Sequence, residues 1–173
     1  MPKYPSDSKV STLGPANTNS HHAAKLFMKM NNIEGEPLLS KTAEGSFDLL
    51  VEDKVTFCVV CNLYPSIHKL YIPHLKTVTA CEVFIYHASM GLYKRPEVME
   101  IRTAAAPITS TVFVKDHPFQ VVIANSNAEA VSMCHRGEVD AAVGTAEAFE
   151  GLNLEVVEDY GTFNVPYTVF KKK

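Results

Sequence analysis

Residues 10–31 read Val10-Ser-Thr-Leu-Gly14-Pro15-Ala-Asn17-Thr18-Asn-Ser20-His-His-Ala23-Ala24-Lys-Leu-Phe27-Met28-Lys-Met30-Asn31. Val10 to Leu13 is a short apolar alternation of strand type, and Gly14-Pro15 breaks it. A polar loop follows, in which Asn17 tolerates positive φ better than most residues. Ser20 reads as an N-cap, after which Ala23, Ala24, Phe27, Met28 and Met30 recur at helical spacing. Strand, tight turn and helix in this order place free backbone N–H groups and small hydroxyls at a helix N-terminus. Such a terminus suits a carboxylate or phosphate. Spacing alone fits a plain turn and cap better than an anion site.

Working outward, Asn32 to Pro37 reads as a linker and Leu38-Leu39 as a short strand. Thr42 can cap a helix over 43–53, with Phe47, Leu50 and Val51 on one stripe. Val55 to Val60 is a continuous apolar run, typical of a strand buried on both faces of a parallel sheet. Five alternating elements in some fifty residues predict a βαβαβ lobe. Ligands of open parallel sheets bind beyond the carboxyl ends of the strands. Asn62, Tyr64 and Ser66, which follow the Val55–Val60 run, are therefore expected to face a cleft.

The second half repeats the pattern. Val78 to Tyr93 reads as a strand or strand pair and contains His87, a residue type that in such runs is usually packed against backbone. Ala104 to Pro107 reads as a loop before a short helix. Val121 to Ala124 is a strand, Ser126 caps a helix through Arg136, and Gly137 stops it. Val139 to Val143 is a strand, Thr145 caps a helix through Phe149, and Leu154 to Val157 is a further strand.

Composition narrows the function classes. Of 173 residues, 46% are hydrophobic and 20% charged, as in a soluble globular domain, and the net charge is −3. Without a basic patch, nucleic acid is a poor partner. No apolar run approaches the ~20 residues that span a bilayer, and the first nine residues lack a signal-peptide core. These features lead us to expect a cytoplasmic protein with no membrane partner. Cys58 and Cys61 form C-x-x-C inside an all-apolar strand, and no second pair has zinc spacing. Buried thiols, and no metal, are expected.

Thr12-Leu13-Gly14-Pro15, Thr18, Ser20 and the Ala23-Ala24 pair resemble the opening of prephenate dehydratases, which normally carry a glycine where Asn17 stands. Ser126, Ala130, Gly137, Asp140, Ala141, Ala142, Ala146 and Gly151-Leu152 resemble that family's second lobe. The likeness runs from Thr12 to Phe170, loosely in the middle. Val60, Tyr64, Ile67 and Tyr71, with Gly91-Leu92 and Arg95-Pro96, are more similar to the non-aromatising prephenate decarboxylases of bacilysin-type pathways. Dehydratases end this domain in asparagine, two threonines, arginine and phenylalanine. Here Thr168 and Phe170 match but Val169 replaces the arginine, and a valine cannot make the bidentate, charged contact of a guanidinium. The sequence stops at Lys173, so no regulatory domain of the dehydratase kind is expected.

The resemblance implies an α/β fold with two βαβ lobes around a central cleft, like a type 2 periplasmic binding protein. The expected layout is a tail over 1–9, a first lobe over 10–77 plus 160–173, and a second over 78–159, hinged where the chain crosses twice. It implies a lyase on prephenate without a cofactor, most simply a decarboxylase. A dehydratase giving phenylpyruvate, or a non-catalytic binder of a small carboxylate or amino acid, are the other readings. The expected substrate binders are Asn17, Thr18, Ser20, Asn62, Ser126, Asn127 and Thr145. Thr168, His87, Tyr64 and Tyr167 are the expected catalytic residues, the last three as alternative proton donors. The expected partner is a small molecule, prephenate or a related carboxylate, and a homodimer is compatible with the sequence.

Overall fold

The computed structural model describes residues 3–173. The described chain forms two compact units, residues 3–86 with 164–173 and residues 87–163. It passes between them inside two long strands, β4 (Val78–Lys94) and β8 (Glu155–Lys172). Each is one uninterrupted strand: of the strand or strand pair read over Val78 to Tyr93 the first holds, and the short strand read over Leu154 to Val157 is part of a much longer one. Alternating burial along β4 supports this continuity, with Phe84, Tyr86, Ala88 and Met90 on its covered side.

In the first unit, β1 (Val10–Leu13) pairs in parallel with β2 (Leu38–Ser40) and with β3 (Phe57–Cys61), and β3 pairs antiparallel with the end of β8. Helix α1 (Asn19–Met30) covers one face. There Phe27 meets Phe57 edge-on at 5.4 Å and stacks on Phe84 at 6.3 Å. Tyr4 lies 4.6 Å from the Phe57 ring, so residues read as a tail on sequence pack on this core. Helix α2 (Ala43–Val51) covers the other face, burying Phe47 and Leu50 against Cys58, Val60 and Phe170. Thr42 caps it by accepting from the Gly45 N–H at 3.0 Å. A short helix, α3 (Ile67–Tyr71), occupies a stretch that reads as loop, held by Leu70 in the same core.

The second unit has the same plan. Strand β5 (Thr103–Pro107) pairs in parallel with β6 (Gln120–Ala124) and β7 (Ala141–Thr145), and β7 pairs antiparallel with β4. Ala104 to Pro107 is thus a strand and not a loop. Its alanines are fully buried between two apolar layers, where larger side chains would not fit. Helix α4 (Asn127–His135) ends at Gly137, whose φ of +79 suits glycine. The segment after Thr145 is a single 3₁₀ turn over Ala146–Phe149 and not an α-helix, so it adds little dipole of its own.

Candidate functional site

In the first unit, the carboxyl ends of β1 and β3 meet the N-terminus of α1. The turn after β1 contains a cis Gly14–Pro15 bond and Asn17 at φ 62. Thr18, not Ser20, is the N-cap: it has extended backbone, and its Oγ1 accepts from the His21 N–H at 3.3 Å. Three cap-forming residue types stand within three positions, and packing decides among them. Ser20 lies on the buried stripe with Ala23, Ala24 and Phe27, so the helix must start before it. The Thr18 hydroxyl also donates to the Pro15 carbonyl at 2.9 Å, so its proton serves the turn and not an anion.

Sequence reasoning overlooked three neighbours, Asn19, His21 and His22. His21 is buried, and its Nδ1 accepts from the Asn17 N–H at 3.1 Å. Burial lowers its pKa, and His22 adds to this. At the same terminus, buried Asn19 Oδ1 and His22 Nε2 have no hydrogen-bond partner among the described residues. Polar groups buried in this way are costly unless something binds them. The doubled histidine of residues 21–22 was the available signal, but it has no helical or metal spacing to mark it.

Behind the helix end lies a small cavity of about 20 Å³, lined among others by Leu13, Ser20, Ser46, Cys61 and Tyr64. Tyr167, from β8, is 1% exposed and stacks on Phe84 at 5.8 Å. Its hydroxyl has Ser20 and Cys61 as polar neighbours, and burial raises the phenol well above the usual tyrosine value. Next along β8, Thr168 Oγ1 donates to Asn62 Oδ1 at 2.8 Å, and the Asn62 N–H donates to the Pro166 carbonyl at 2.9 Å. Tyr64 donates to Glu44, and that contact raises the Tyr64 phenol and lowers the Glu44 carboxyl. Ser20, Asn62, Tyr64, Tyr167 and Thr168 are thus brought to one end of this unit. Cys58 is fully buried, and its thiol is pushed up to about 11 by burial. Cys61 is half-buried, lines the cavity, and also has a raised pKa for that reason.

In the second unit, Ser126 caps α4 by accepting from the Glu129 N–H at 3.1 Å, and Glu129 reaches back to the Asn125 N–H at 2.6 Å. Asn127 Oδ1 and Thr145 Oγ1 are buried without a hydrogen-bond partner among the described residues. His87 is an exposed residue of β4, the first of this unit. Among the described residues, no three His, Cys, Asp or Glu side chains are grouped to hold a metal ion, and no helix is long and apolar enough to cross a membrane.

No protein-family model matches the chain. The chain is 26% identical, over 95% of its own length and 88% of the relative's, to the prephenate decarboxylase of Planktothrix agardhii. The chain is similar to a prephenate decarboxylase. Among solved structures it is similar to the Arthrobacter aurescens prephenate dehydratase in complex with L-Phe, with a TM-score of 0.78 at 14% identity over 95% of this chain. The chain spans 60% of that dehydratase's length. It is also similar to the periplasmic VFT2 domain of Bordetella pertussis BvgS, with a TM-score of 0.53 at 15% identity over 95% of this chain and 80% of that domain. The fold is α/β of the type 2 periplasmic-binding-protein kind, and the resemblance read from the sequence is to the same proteins.

Proposed function

We propose that the chain is a cofactor-independent lyase acting on prephenate, and that it removes the ring carboxylate without aromatising the ring. The carrying observation is the similarity to a prephenate decarboxylase along nearly the whole of both chains. In the proposed step the bond from ring carbon to carboxylate breaks and CO2 leaves. Its electron pair moves through the ring alkene, whose far carbon takes a proton, and the hydroxyl stays. The product is a dihydro-hydroxyphenylpyruvate. Losing CO2 and hydroxide together would instead give phenylpyruvate. The enzyme must therefore hold the carboxylates, supply one proton to carbon, and offer no acid to the hydroxyl.

Several features of the chain support this reading. The α1 terminus with Asn17, Ser20 and the unpartnered Asn19 Oδ1 and His22 Nε2 is assigned the binding of a substrate carboxylate and hydroxyl. Asn62 with Thr168 in the first unit, and Ser126, Asn127 and Thr145 in the second, are assigned as further binders. Thr18 contributes by capping the helix. Of the three proton donors, Tyr167 is preferred for its place: its hydroxyl lies beside Ser20 at the α1 terminus. The Tyr64 hydroxyl is engaged by Glu44, and His87 stands at the surface. Position 169 is a valine, so it supplies no cation to help the hydroxyl leave.

Incubation with prephenate, followed by ultraviolet spectroscopy and mass analysis of the product, tests the proposal. A non-aromatic product that has lost CO2 but kept the hydroxyl is expected, and Tyr167→Phe should slow its formation. Phenylpyruvate as main product would make the chain a dehydratase. Binding of prephenate without turnover would favour a non-catalytic carboxylate binder, since one fold hosts many functions.

A further inference from the structure

We propose that His21 is a positioning residue: its neutral imidazole, with the proton on Nε2, holds the Gly14–Thr18 turn in the shape that presents the α1 terminus to a substrate carboxylate. This rests on the function proposed above for what the terminus binds, but the brace itself does not.

The geometry fixes the tautomer. The Asn17 N–H points at Nδ1 over 3.1 Å, so Nδ1 must offer a lone pair and the single ring proton must sit on Nε2. Asn17 is in the left-handed region at φ 62, a conformation that asparagine tolerates better than most residues but that still needs support from its surroundings. The imidazole is one such hold. The Thr18 hydroxyl is the other, joining the Pro15 carbonyl to the His21 N–H. His21 thus grips the turn twice, once through its backbone and once through its ring.

Protonation turns the ring acceptor into a donor facing another donor, so the brace opens. The groups that face the ring divide in sign. His22, with its ring 5.5 Å away, and Lys25 oppose a second positive charge. Glu36 favours it, with Oε2 3.7 Å from Nε2, but Glu36 is mostly exposed and shared with Lys25 at 3.0 Å. Burial opposes it most, so the ring stays neutral to a lower pH than an ordinary histidine. The turn should therefore hold at neutral pH and loosen as the pH falls below the usual histidine range.

Two readouts need no substrate. Nitrogen NMR of the imidazole should find the proton on Nε2, and exchange of the Asn17 amide should be slow in the native chain and faster in His21→Leu. A ring protonated on Nδ1, or unchanged exchange in His21→Leu, overturns the brace. Turnover of prephenate supplies a third. His21→Leu should raise KM about tenfold with little change in kcat. His21→Asn, whose Oδ1 can take the place of Nδ1 but does not titrate, should restore KM and abolish its rise in acid. An acid rise in KM that persists in His21→Asn overturns the positioning role. If the native chain does not turn over prephenate, the function proposed above fails, and the two substrate-free readouts still decide the brace.

Discussion

The Thr168 hydroxyl donates to the side-chain carbonyl of Asn62 at 2.8 Å, joining residues 106 positions apart at the junction of β3 and β8. The Thr168 proton is thereby spent inside the protein. A substrate at this place meets the Thr168 oxygen and the Asn62 amide group as a unit. Thr168→Val leaves the Asn62 carbonyl short of its donor, and Asn62→Ala leaves the hydroxyl free to turn. Each should lower kcat/KM on prephenate about ten- to a hundredfold, since the pair sets one geometry. In a double-mutant cycle the two losses should not add. Additive losses would mean that the residues act separately.

Of the three side-chain helix caps among the described residues, those of α1 and α4 call for a stability measurement. Thr18 and Ser126 each accept from a backbone N–H of the first helical turn. Thr18→Ala and Ser126→Ala should each cost about 1 kcal/mol in urea unfolding. Thr18→Ala should also free the His21 amide for exchange, and Ser126→Ala the Glu129 amide. A Thr18→Ala variant as stable as the native chain would show that the Gly14–Thr18 turn does not depend on its cap.

Thiol labelling at about pH 8 should separate the cysteines. The Cys58 thiol is fully buried, held near 11, and lies 3.3 Å from Ser46 Oγ. It should resist iodoacetamide in the folded chain and react only on unfolding, while half-buried Cys61 and Cys81 react sooner. If Cys58 is modified at the rate of Cys81, the core between α2 and β3 opens far more readily than its packing implies.

The elements set by periodicity were legible in the sequence. Phe47 and Leu50 on α2, and the apolar run of β3, fall where the spacing puts them, and Gly137 ends α4. Asn17 stands where the resembled family carries glycine, and its φ of 62 fits a residue that tolerates that region. The cap of α1 was not legible, since Thr18, Asn19 and Ser20 all suit an N-cap and only the burial of Ser20 selects among them. Ala104 to Ala106 carry no periodicity, so only the layers on either side of them identify a strand. The Asn62–Thr168 bond and the grip of His21 on Asn17 are unreadable for opposite reasons. The first spans almost the whole chain, and the second lies within four residues of a turn whose geometry sequence does not specify.

Asp140 gives a pH-dependent term in the second unit. Its Oδ2 accepts from the Arg102 and Thr103 N–H groups at 2.9 Å each and from the Thr103 hydroxyl at 3.1 Å. The Arg102 N–H, more than any other contact, lowers its pKa below the usual 3.8. A carboxyl held lower in the folded chain than in the unfolded one stabilises above the unfolded value, and the contribution fades as pH falls through the folded one. Asp140→Asn should therefore be less stable than the native chain by about 1 kcal/mol near neutrality. The gap should narrow on acidification from about pH 4 downward. A gap constant from pH 7 to about pH 3 would mean that the charge is not what matters there.

Val169 tests the chemistry and the fold together. It is 0% exposed and sits opposite Val59 in the β3–β8 ladder, with its carbonyl accepting from the Cys81 thiol at 3.4 Å. Val169→Arg would place a guanidinium at a fully buried position, and a cation buried without a partner costs several kcal/mol. The expected outcome is a large fall in Tm, or loss of soluble protein, with no rise in phenylpyruvate. Val169→Leu and Val169→Ala separate the size of the side chain from its charge. Both should fold, at a cost of about 1–3 kcal/mol, and should keep the product ratio of the native chain. The product ratio is the deciding measurement, because a thousandfold preference for one product needs only about 4 kcal/mol between two barriers. A stable Val169→Arg protein that makes phenylpyruvate would show that a cation at this position is enough to redirect the reaction. The buried valine would then be the reason the native chain avoids aromatising its substrate.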